Sequence, residues 1–244
     1  MKKSSGVSAF VDSWDARCMA ASTQFSAIAE SLRRVRAKLI HPDEGDPARS
    51  VLITSAGQGE GKSFVSANLG VIMAQSVGRH ALLVDTDLRR PTLSNLFGAD
   101  NSKGLVDYLR DGRALSELLV PSGMPRLSLL PAGEPPVNPA ELITSEKMAT
   151  MVAELQSRYE DRLILFDSPP VSVASETQVL AQHVDKVVVV VRWGGEGREG
   201  INKMIEQLGR EKVLGVVFNA FKPTLLDSKS REGDGYYNYY AQSY

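Results

Sequence analysis

The segment Val51–Ser63, VLITSAGQGEGKS, constrains the fold of this chain more than any other stretch. It joins a short apolar run to a turn containing Gly57, Gly59 and Gly61, and then to the start of a helical pattern. Glycines let backbone N–H groups converge on a phosphate, and a helix N-terminus adds further N–H groups and the positive end of its dipole. The spacing is that of G-x-x-x-x-G-K-[ST], except that Ala56 stands at the first glycine position. The segment predicts a strand, a phosphate-binding loop and a helix.

The side chains at the end of this loop suit a nucleotide and a metal ion. Lys62 can reach the outer phosphates, and the Ser63 hydroxyl is a suitable ligand for Mg²⁺. We therefore expect a nucleotide site formed by Gly57, Gly59, Glu60, Gly61, Lys62, Ser63 and Phe64.

Apolar runs alternate with helical patterns along the rest of the chain. Continuous apolar runs are typical of buried parallel strands, and their alternation with helices indicates a doubly wound α/β fold with a mainly parallel sheet. The helix after the loop is expected to continue to about Val77 and stop at Gly78, and a helix over 145–158 is expected to be capped by Ser145. Residues 1–20 show no regular pattern and are expected to be loosely ordered. The six predicted strands begin near Val51, Ala81, Arg126, Leu163, Lys186 and Val213.

Acidic residues follow two of these strands. Asp85 and Asp87 come directly after the run Ala81–Val84, and Asp167 comes directly after Leu163–Phe166. Carboxylates at strand ends often serve as turn formers or helix caps. However, ligands of open α/β sheets bind at the carboxyl ends of the strands, and phosphate-loop NTPases hold Mg²⁺ with such an aspartate. We interpret the three carboxylates as part of the site.

Composition limits the class of protein. The 244 residues are 43% hydrophobic, enough for a substantial core, and the formal net charge of −1 gives no sign of a nucleic-acid partner. A single cysteine, Cys18, excludes an intrachain disulfide and fits a reducing compartment. The sequence has no apolar run of about 18 residues, as a membrane helix requires. The N-terminus has no apolar stretch of the kind that a secretory signal contains.

The two ends of the chain carry further patterns. An apolar stripe over 24–40 predicts a helix, and spacing alone places Glu30, Arg33 and Arg36 on or near its solvated face. From Lys222 the chain is polar and is expected to form a flexible tail. Exposed aromatic residues promote association, so their concentration in a polar tail indicates a function or a docking role. Five of the seven tyrosines lie in the last nine residues: Tyr236, Tyr237, Tyr239, Tyr240 and Tyr244.

Four of these segments together resemble the cytoplasmic catalytic domain of the bacterial protein-tyrosine kinases of polysaccharide export (BY-kinases). SAGQGEGKS is similar to their Walker A loop, LLVDTDLRR to Walker A′, LILFDSPPV to Walker B, and YYNYYAQSY to their tyrosine cluster. The resemblance runs from about residue 24 to the end. It also changes the interpretation of Glu30, Arg33 and Arg36, which match the family's E-x-x-R-x-x-R helix for subunit contacts.

The resemblance implies a P-loop NTPase of the deviant Walker, partition-ATPase-like type that uses ATP and Mg²⁺. Lys62 would bind the β- and γ-phosphates, and Asp85 would accept the tyrosine proton. Ser63, Asp87 and Asp167 would hold the metal and its waters. Arg89 would help position its loop or a neighbour, and Asn219 resembles an asparagine that contacts adenine in related ATPases. After Arg192 the family has a small Thr-containing turn, whereas this chain has Trp193–Gly200, WGGEGREG, to which no role is assigned.

The resemblance further implies autophosphorylation of the five tail tyrosines between subunits of a homo-oligomeric ring. The expected division is an oligomerisation segment (1–41), a kinase domain (42–222) and a tail (223–244). The two membrane helices of the family's fused form are not in the sequence, which implies the split form. That form is cytoplasmic and is recruited to the inner face of the plasma membrane by a separate membrane-anchored co-polymerase.

Two other interpretations remain open. Switch ATPases of the septum-positioning and partition groups share the loop, but they normally carry a second lysine at the position of Gly57. A nucleotide-dependent scaffold, in which the tail is a docking peptide, would carry the same motifs.

Overall fold

The computed structural model describes residues 14–21, 27–43, 45–158 and 161–220. The predicted tail, with its five tyrosines, and the first residues of the helix predicted from position 24 lie outside these ranges. The division of the chain at 41 and 222 stays a prediction. No helix in the described ranges is both long enough and apolar enough to cross a membrane.

The sheet has seven strands in the order β3-β4-β2-β5-β1-β6-β7. All neighbours are parallel except β3 and β4. The predicted mainly parallel, doubly wound sheet is confirmed, with one strand more than expected. Sequence patterns miss β3 because it has only two residues. The strands are β1 Ser50–Ser55, β2 His80–Asp85, β3 Val120–Pro121, β4 Leu127–Leu130, β5 Arg162–Asp167, β6 Lys186–Arg192 and β7 Val213–Asn219.

Helices cover both faces of the sheet, which buries the central strands on both sides and explains their continuous apolar runs. One core contains Leu32 and Leu69 from α1 and α2. The opposite core contains Leu109, Met151 and Leu180 from α4, α7 and α8. The helices of the described part are α1 Ala27–Ile40, α2 Lys62–Ala74, α3 Leu93–Phe97, α4 Leu105–Asp111, α5 Leu115–Leu118, α6 Pro139–Ile143, α7 Glu146–Arg158, α8 Glu176–His183 and α9 Arg198–Leu208.

The sequence predicted where one helix begins and where another ends. The Ser145 cap is confirmed, because its hydroxyl accepts the N–H of Met148 at 3.3 Å. The prediction that α2 continues to Val77 is wrong, because the helix ends at Ala74. The turn that follows is held at Ser76, whose hydroxyl accepts a hydrogen bond from Arg36 Nη1 at 2.8 Å. Gly78 (φ 70°) lies four residues beyond the end of the helix.

The expectation of loose order for residues 1–20 is wrong for the segment that begins at Trp14. Residues Ala16–Ala21 form a short 3₁₀ helix, and Cys18 is buried. The Trp14 indole donates a hydrogen bond to Ser122 O at 2.8 Å and packs edge-to-face on Phe97 at 4.9 Å. Contacts with distant elements order this segment, and such contacts leave no periodic pattern in the sequence.

Candidate active site

The acidic strand ends lie together, as the sequence predicts. In the β2–β5 register Asp85 is directly opposite Asp167. Thr86, the residue after β2, donates both its N–H and its hydroxyl to Asp167 O, at 2.8 and 2.7 Å. The loop after β1 lies beside them, because β1 pairs with β5 on one side. The sheet topology therefore brings the phosphate loop and the two carboxylate segments to one edge.

The turn before α2 requires glycine at two positions. Gly59 and Gly61 have φ of 75° and 93°, in the left-handed region that L side chains rarely adopt. Gly61 also lies against the amide of Asn219, which donates a hydrogen bond to Glu60 O at 2.9 Å. A Cβ atom at Gly61 would be 2.0 Å from Asn219 Nδ2. The end of β7 and the phosphate loop therefore meet at Gly61, where a side chain would have to displace the amide of Asn219.

We expect Gly61→Ala to lower both folding stability and nucleotide affinity. The left-handed backbone strain alone is about 1–3 kcal/mol, and the new methyl group would also displace Asn219. Thermal unfolding and nucleotide titration measure the two effects. Gly197→Ala is the matched control, because Gly197 has φ −76° and open space around it. Equal unfolding temperatures for Gly61→Ala and the unsubstituted protein would contradict this account of the loop.

Glu60 was predicted to bind nucleotide, but its carboxylate points into the protein. It accepts the N–H of Gly57 at 3.2 Å and the N–H of Arg192 at 3.1 Å. Burial raises the pKa of Glu60, and these two N–H groups oppose the shift. The side chain therefore ties the phosphate loop to the end of β6, and its role in binding would be to hold the loop's shape.

Lys62 and Asp87 form the central ion pair of the site. Their Nζ and Oδ2 atoms are 2.9 Å apart, and both side chains are largely buried. Lys62 Nζ also donates to Ser63 Oγ at 3.4 Å. Burial by itself would lower the pKa of Lys62, but the carboxylates of Asp167 and Asp87 raise it on balance. The lysine is therefore a fixed positive charge at the start of α2.

Asp167 has one carboxylate oxygen without a hydrogen bond. Its Oδ1 accepts the Ser66 hydroxyl at 3.0 Å, while its buried Oδ2 has no hydrogen-bond partner in the described structure. Burial raises the pKa of Asp167, and Lys62 opposes that shift. An unsatisfied buried oxygen is costly unless a ligand completes its shell. This observation fits a bound cation or one of its waters beside Asp167.

Asp85 is completely buried and caps α3. Its Oδ2 accepts the N–H groups of Thr92 and Leu93, both at 2.9 Å, and its Oδ1 accepts the N–H of Asp87 at 3.3 Å. Burial raises the pKa of Asp85 and the charge of Asp167 raises it further, whereas the N–H groups at Leu93 and Thr92 lower it. The carboxylate lies beneath the cleft rather than on its wall, a placement that sequence reasoning did not foresee.

A cleft of about 360 Å³ opens above these residues. Lys62, Ser63 and Asp87 form its floor, and Leu96, Pro170 and Val173 add apolar surface. Within the described residues no cluster of three or more His, Cys, Asp or Glu side chains is arranged to hold a metal by itself. A cleft with few carboxylates suits Mg²⁺, because this ion usually binds through one or two carboxylates and substrate phosphates. The other predicted nucleotide-site residues that line the cleft are Gly59, Gly61 and Phe64.

Arg89 has a partner that sequence reasoning missed. Its Nε and Nη2 atoms both lie 2.9 Å from Glu176 Oε1, and Glu176 is 2% exposed. Glu176 is in the first turn of α8, and no motif in the sequence marks it. The ion pair joins the segment after β2 to α8.

The unassigned turn Trp193–Gly200 lies at the β7 side of the site. Trp193 N donates to Asn219 O at 2.8 Å, and the Trp193 ring meets Phe218 edge-to-face at 6.0 Å. The second half of the turn is not irregular, because α9 begins at Arg198. Asn219 itself is used within the chain, since its amide holds Glu60 O.

The predicted oligomerisation residues lie on α1, away from the cleft. Arg33 Nη1 pairs with Glu30 Oε2 at 3.2 Å. Arg36 binds Ser76 Oγ, beyond the last turn of α2 and therefore at the opposite end of that helix from the phosphate loop. Arg36 thus has an intramolecular contact that the helical spacing did not predict.

Comparisons with known proteins agree with this geometry. A family model of the CobQ/CobB/MinD/ParA nucleotide binding domain matches residues 51–233. The chain is 34% identical over 196 residues to "Tyrosine-protein kinase YwqD" of Bacillus subtilis, covering 80% of this chain and 81% of that protein. It is 33% identical over 219 residues to "Putative tyrosine-protein kinase CapB" of Staphylococcus aureus, covering 89% and 92%.

A solved structure shows the same similarity in three dimensions. The chimerical protein CapA2B2 superposes with a TM-score of 0.77 at 31% identity, covering 86% of this chain and 92% of that one. Some other tyrosine-protein kinases that match are much longer, and the chain spans only 26% of their length.

Proposed function

The chain belongs to the bacterial tyrosine-protein kinases built on the CobQ/CobB/MinD/ParA nucleotide-binding domain, and from that premise we propose an ATP- and Mg²⁺-dependent autokinase. Its acceptors are the tail tyrosines Tyr236, Tyr237, Tyr239, Tyr240 and Tyr244, and its phosphorylation state regulates polysaccharide synthesis or export. The observation that carries the proposal is the Lys62–Asp87 ion pair in the mouth of the phosphate loop, beside the unsatisfied oxygen of Asp167.

The residues at the cleft suit a magnesium nucleotide. Ser63, Asp87 and Asp167 would hold Mg²⁺, which when bound supplies positive charge to the phosphates. Lys62 and the N–H groups of the glycine loop would bind the phosphates, and Asn219 would lie on the side of the base. Phosphoryl transfer needs alignment and charge neutralisation more than covalent help from the protein, and these residues provide both.

Asp85 is the proposed acceptor of the tyrosine proton. A tyrosine hydroxyl has a pKa of about 10, so a carboxylate with a raised pKa is better matched to that proton than an ordinary one. Because Asp85 lies under the first residues of α3, this role requires Thr92 and Leu93 to move when the acceptor binds. Arg89, fixed by Glu176, positions the segment that carries Asp85 and Asp87.

Transfer between subunits is the proposed geometry. Residues 221–235 separate the described chain from Tyr236, and a linker of that length spans roughly 20 Å as a coil and about 50 Å when extended. A neighbouring site is therefore within reach. We propose that unphosphorylated subunits form a ring through Glu30, Arg33 and Arg36. Each added phosphate brings about −1.5 to −2 charge, and several of them crowded beside Asp85, Asp87 and the bound nucleotide would repel and release the tail.

The proposed cellular setting follows from the family. A separate membrane-anchored co-polymerase would recruit and activate the cytoplasmic kinase at the inner face of the plasma membrane. No nucleic acid is proposed as a partner.

A mixing experiment tests the proposal. A Lys62→Met protein with an intact tail is combined with an active protein whose five tail tyrosines are phenylalanine. We expect phosphate on the tail of the inactive partner, because each tail enters an adjacent site. Phosphotyrosine mapping by mass spectrometry measures it. Transfer should decrease when Arg33 and Arg36 are both alanine in the two proteins.

One control variant and one stability measurement make the mixing experiment decisive. Arg210→Ala, a change at an exposed arginine next to β7, is the control and should leave transfer unchanged. Because Arg36 also binds Ser76, the unfolding temperature of the Arg33/Arg36 variant is measured in parallel. If the tail stays unphosphorylated at concentrations where the proteins associate, transfer between subunits is wrong.

A further inference from the structure

The lining of the cleft contains more basic than acidic side chains. Its lining includes four cationic side chains, Arg17, Lys62, Arg89 and Arg90, against the single carboxylate of Asp87. Lys62 is paired with Asp87 at 2.9 Å. The three arginines are exposed at the rim, so their charges face whatever enters the cleft from solvent.

Arg90 differs from the other two arginines in its partner. Its Nη1 donates to the neutral amide oxygen of Gln58 at 3.0 Å, and no carboxylate of the described chain pairs with it. Its backbone N–H binds Asp87 Oδ1 at 3.1 Å, which fixes the residue beside the proposed catalytic carboxylates. An exposed positive charge is therefore held next to the transfer site.

Arg17 reaches the same cleft from the N-terminal segment. Its carbonyl accepts a hydrogen bond from Asn68 Nδ2 on α2 at 2.9 Å, and the adjacent Cys18 is buried. Its guanidinium pairs with Asp15 at 2.7 Å in an exposed ion pair. Exposed ion pairs contribute little to stability, so a carboxylate from a bound peptide can exchange with Asp15 at small cost.

The tail has complementary charges at a defined spacing from its tyrosines. The two charged residues nearest to the cluster are Glu232 and Asp234, four and two positions before Tyr236. The basic residues Lys229 and Arg231 lie farther from the cluster. In an extended peptide, at about 3.5 Å per residue, Asp234 would lie roughly 7 Å and Glu232 roughly 14 Å before Tyr236.

We propose that Arg90, together with Arg17, forms a subsite for an acidic peptide that binds Glu232 and Asp234 of another copy of this chain. This inference rests on the proposed tail phosphorylation. With the acidic pair held at the rim, Tyr236 or Tyr237 would be the first tyrosine to reach the cleft, whose lining includes the apolar side chains of Leu96 and Val173. Tyr244, ten positions after Asp234, is too far along the tail to benefit. The subsite thus gives the first two tyrosines priority.

The in-trans assay also tests the subsite, with Arg90→Ala in the active protein that lacks tail tyrosines. We expect the KM for the Lys62→Met acceptor to rise about tenfold, as loss of a charge-assisted contact predicts, while the KM for ATP changes less than about twofold. The preference for Tyr236 and Tyr237 over Tyr244 should disappear. Arg210→Ala is the matched control and should leave both KM values and the site distribution unchanged.

A charge exchange distinguishes binding of the tail from a structural role. Arg90→Glu should transfer poorly to the normal tail, and an acceptor with Glu232→Lys and Asp234→Lys should restore most of the transfer. A structural defect would not be rescued by changes in another molecule. An unchanged acceptor KM in Arg90→Ala, or a rise only in the KM for ATP, would overturn the subsite while leaving tail phosphorylation intact. If the pair in which Arg90 is unchanged shows no tail phosphate, both the subsite and the proposed transfer between subunits are wrong.

Discussion

Lys62→Met is expected to reduce phosphate transfer to the tail tyrosines by about a thousandfold or more. The lysine is the buried cation at the loop, and a preorganised charge aimed at the phosphates has its full value in such a site. Methionine keeps much of the side-chain volume and removes the charge. Single-turnover phosphorylation of a separate tail acceptor measures the effect.

The control for this variant is Lys203→Met, at an exposed position of α9. Its transfer rate should equal that of the unsubstituted protein. Removing Lys62 leaves Asp87 without its partner, so a modest fall in unfolding temperature is expected, with the sheet intact by circular dichroism. Transfer at the normal rate by folded Lys62→Met protein would exclude the phosphate-loop assignment.

Asp85→Asn is expected to lower kcat by about a hundredfold or more, with little change in nucleotide affinity. A proton acceptor acts in the transition state, so its loss lowers the rate more than binding. If Asp85 only caps α3, the amide would keep one acceptor oxygen, and the main effect would be on stability. Rate, nucleotide affinity and unfolding free energy, measured together, distinguish the two roles.

The pH dependence of the same pair of proteins gives a second test. Burial and the charge of Asp167 raise the pKa of Asp85, so the unsubstituted enzyme should gain activity as pH rises above the ordinary carboxyl range. Asp85→Asn should lack that rise.

The contribution of Asp85 to folding stability should decrease as pH rises, whereas the activity should increase. Because its folded pKa is above its unfolded value, its contribution to stability is complete below about pH 4 and is lost as pH rises through the folded pKa. The difference in unfolding free energy between the unsubstituted protein and Asp85→Asn should therefore decrease with pH. Asp46→Asn, at an exposed loop position, should reproduce the unsubstituted pH profiles. If the unsubstituted enzyme and Asp85→Asn show the same dependence of rate on pH, Asp85 is not the base.

The order of the strands and helices was predictable because apolar runs alternate with helical patterns along the chain. Buried parallel strands give continuous apolar runs, and Gly59 and Gly61 occupy positions that need a left-handed backbone. The meeting of Asp85 and Asp167 was also predictable, since parallel strands place their carboxyl ends at one edge.

What the sequence did not indicate depends on contacts between distant residues. The Arg89–Glu176 pair joins positions 87 residues apart, and neither residue's neighbours predict the other. The ring contact of Trp14 with Phe97 and the hydrogen bond of Arg36 to Ser76 also join distant positions. Asp85 was assigned from its position in a motif, which gave no information on whether its carboxylate faces the cleft or the N-terminus of α3.

The most direct test of the central claim is to incubate the unsubstituted protein with ATP and Mg²⁺. Phosphotyrosine is then mapped by mass spectrometry while inorganic phosphate release is counted in the same sample. We expect phosphate on the cluster Tyr236–Tyr244, dependent on Mg²⁺ and absent from Lys62→Met. Release of inorganic phosphate with no tail phosphate would instead indicate a switch ATPase, and nucleotide binding with neither product would indicate a scaffold; either result would contradict the kinase account.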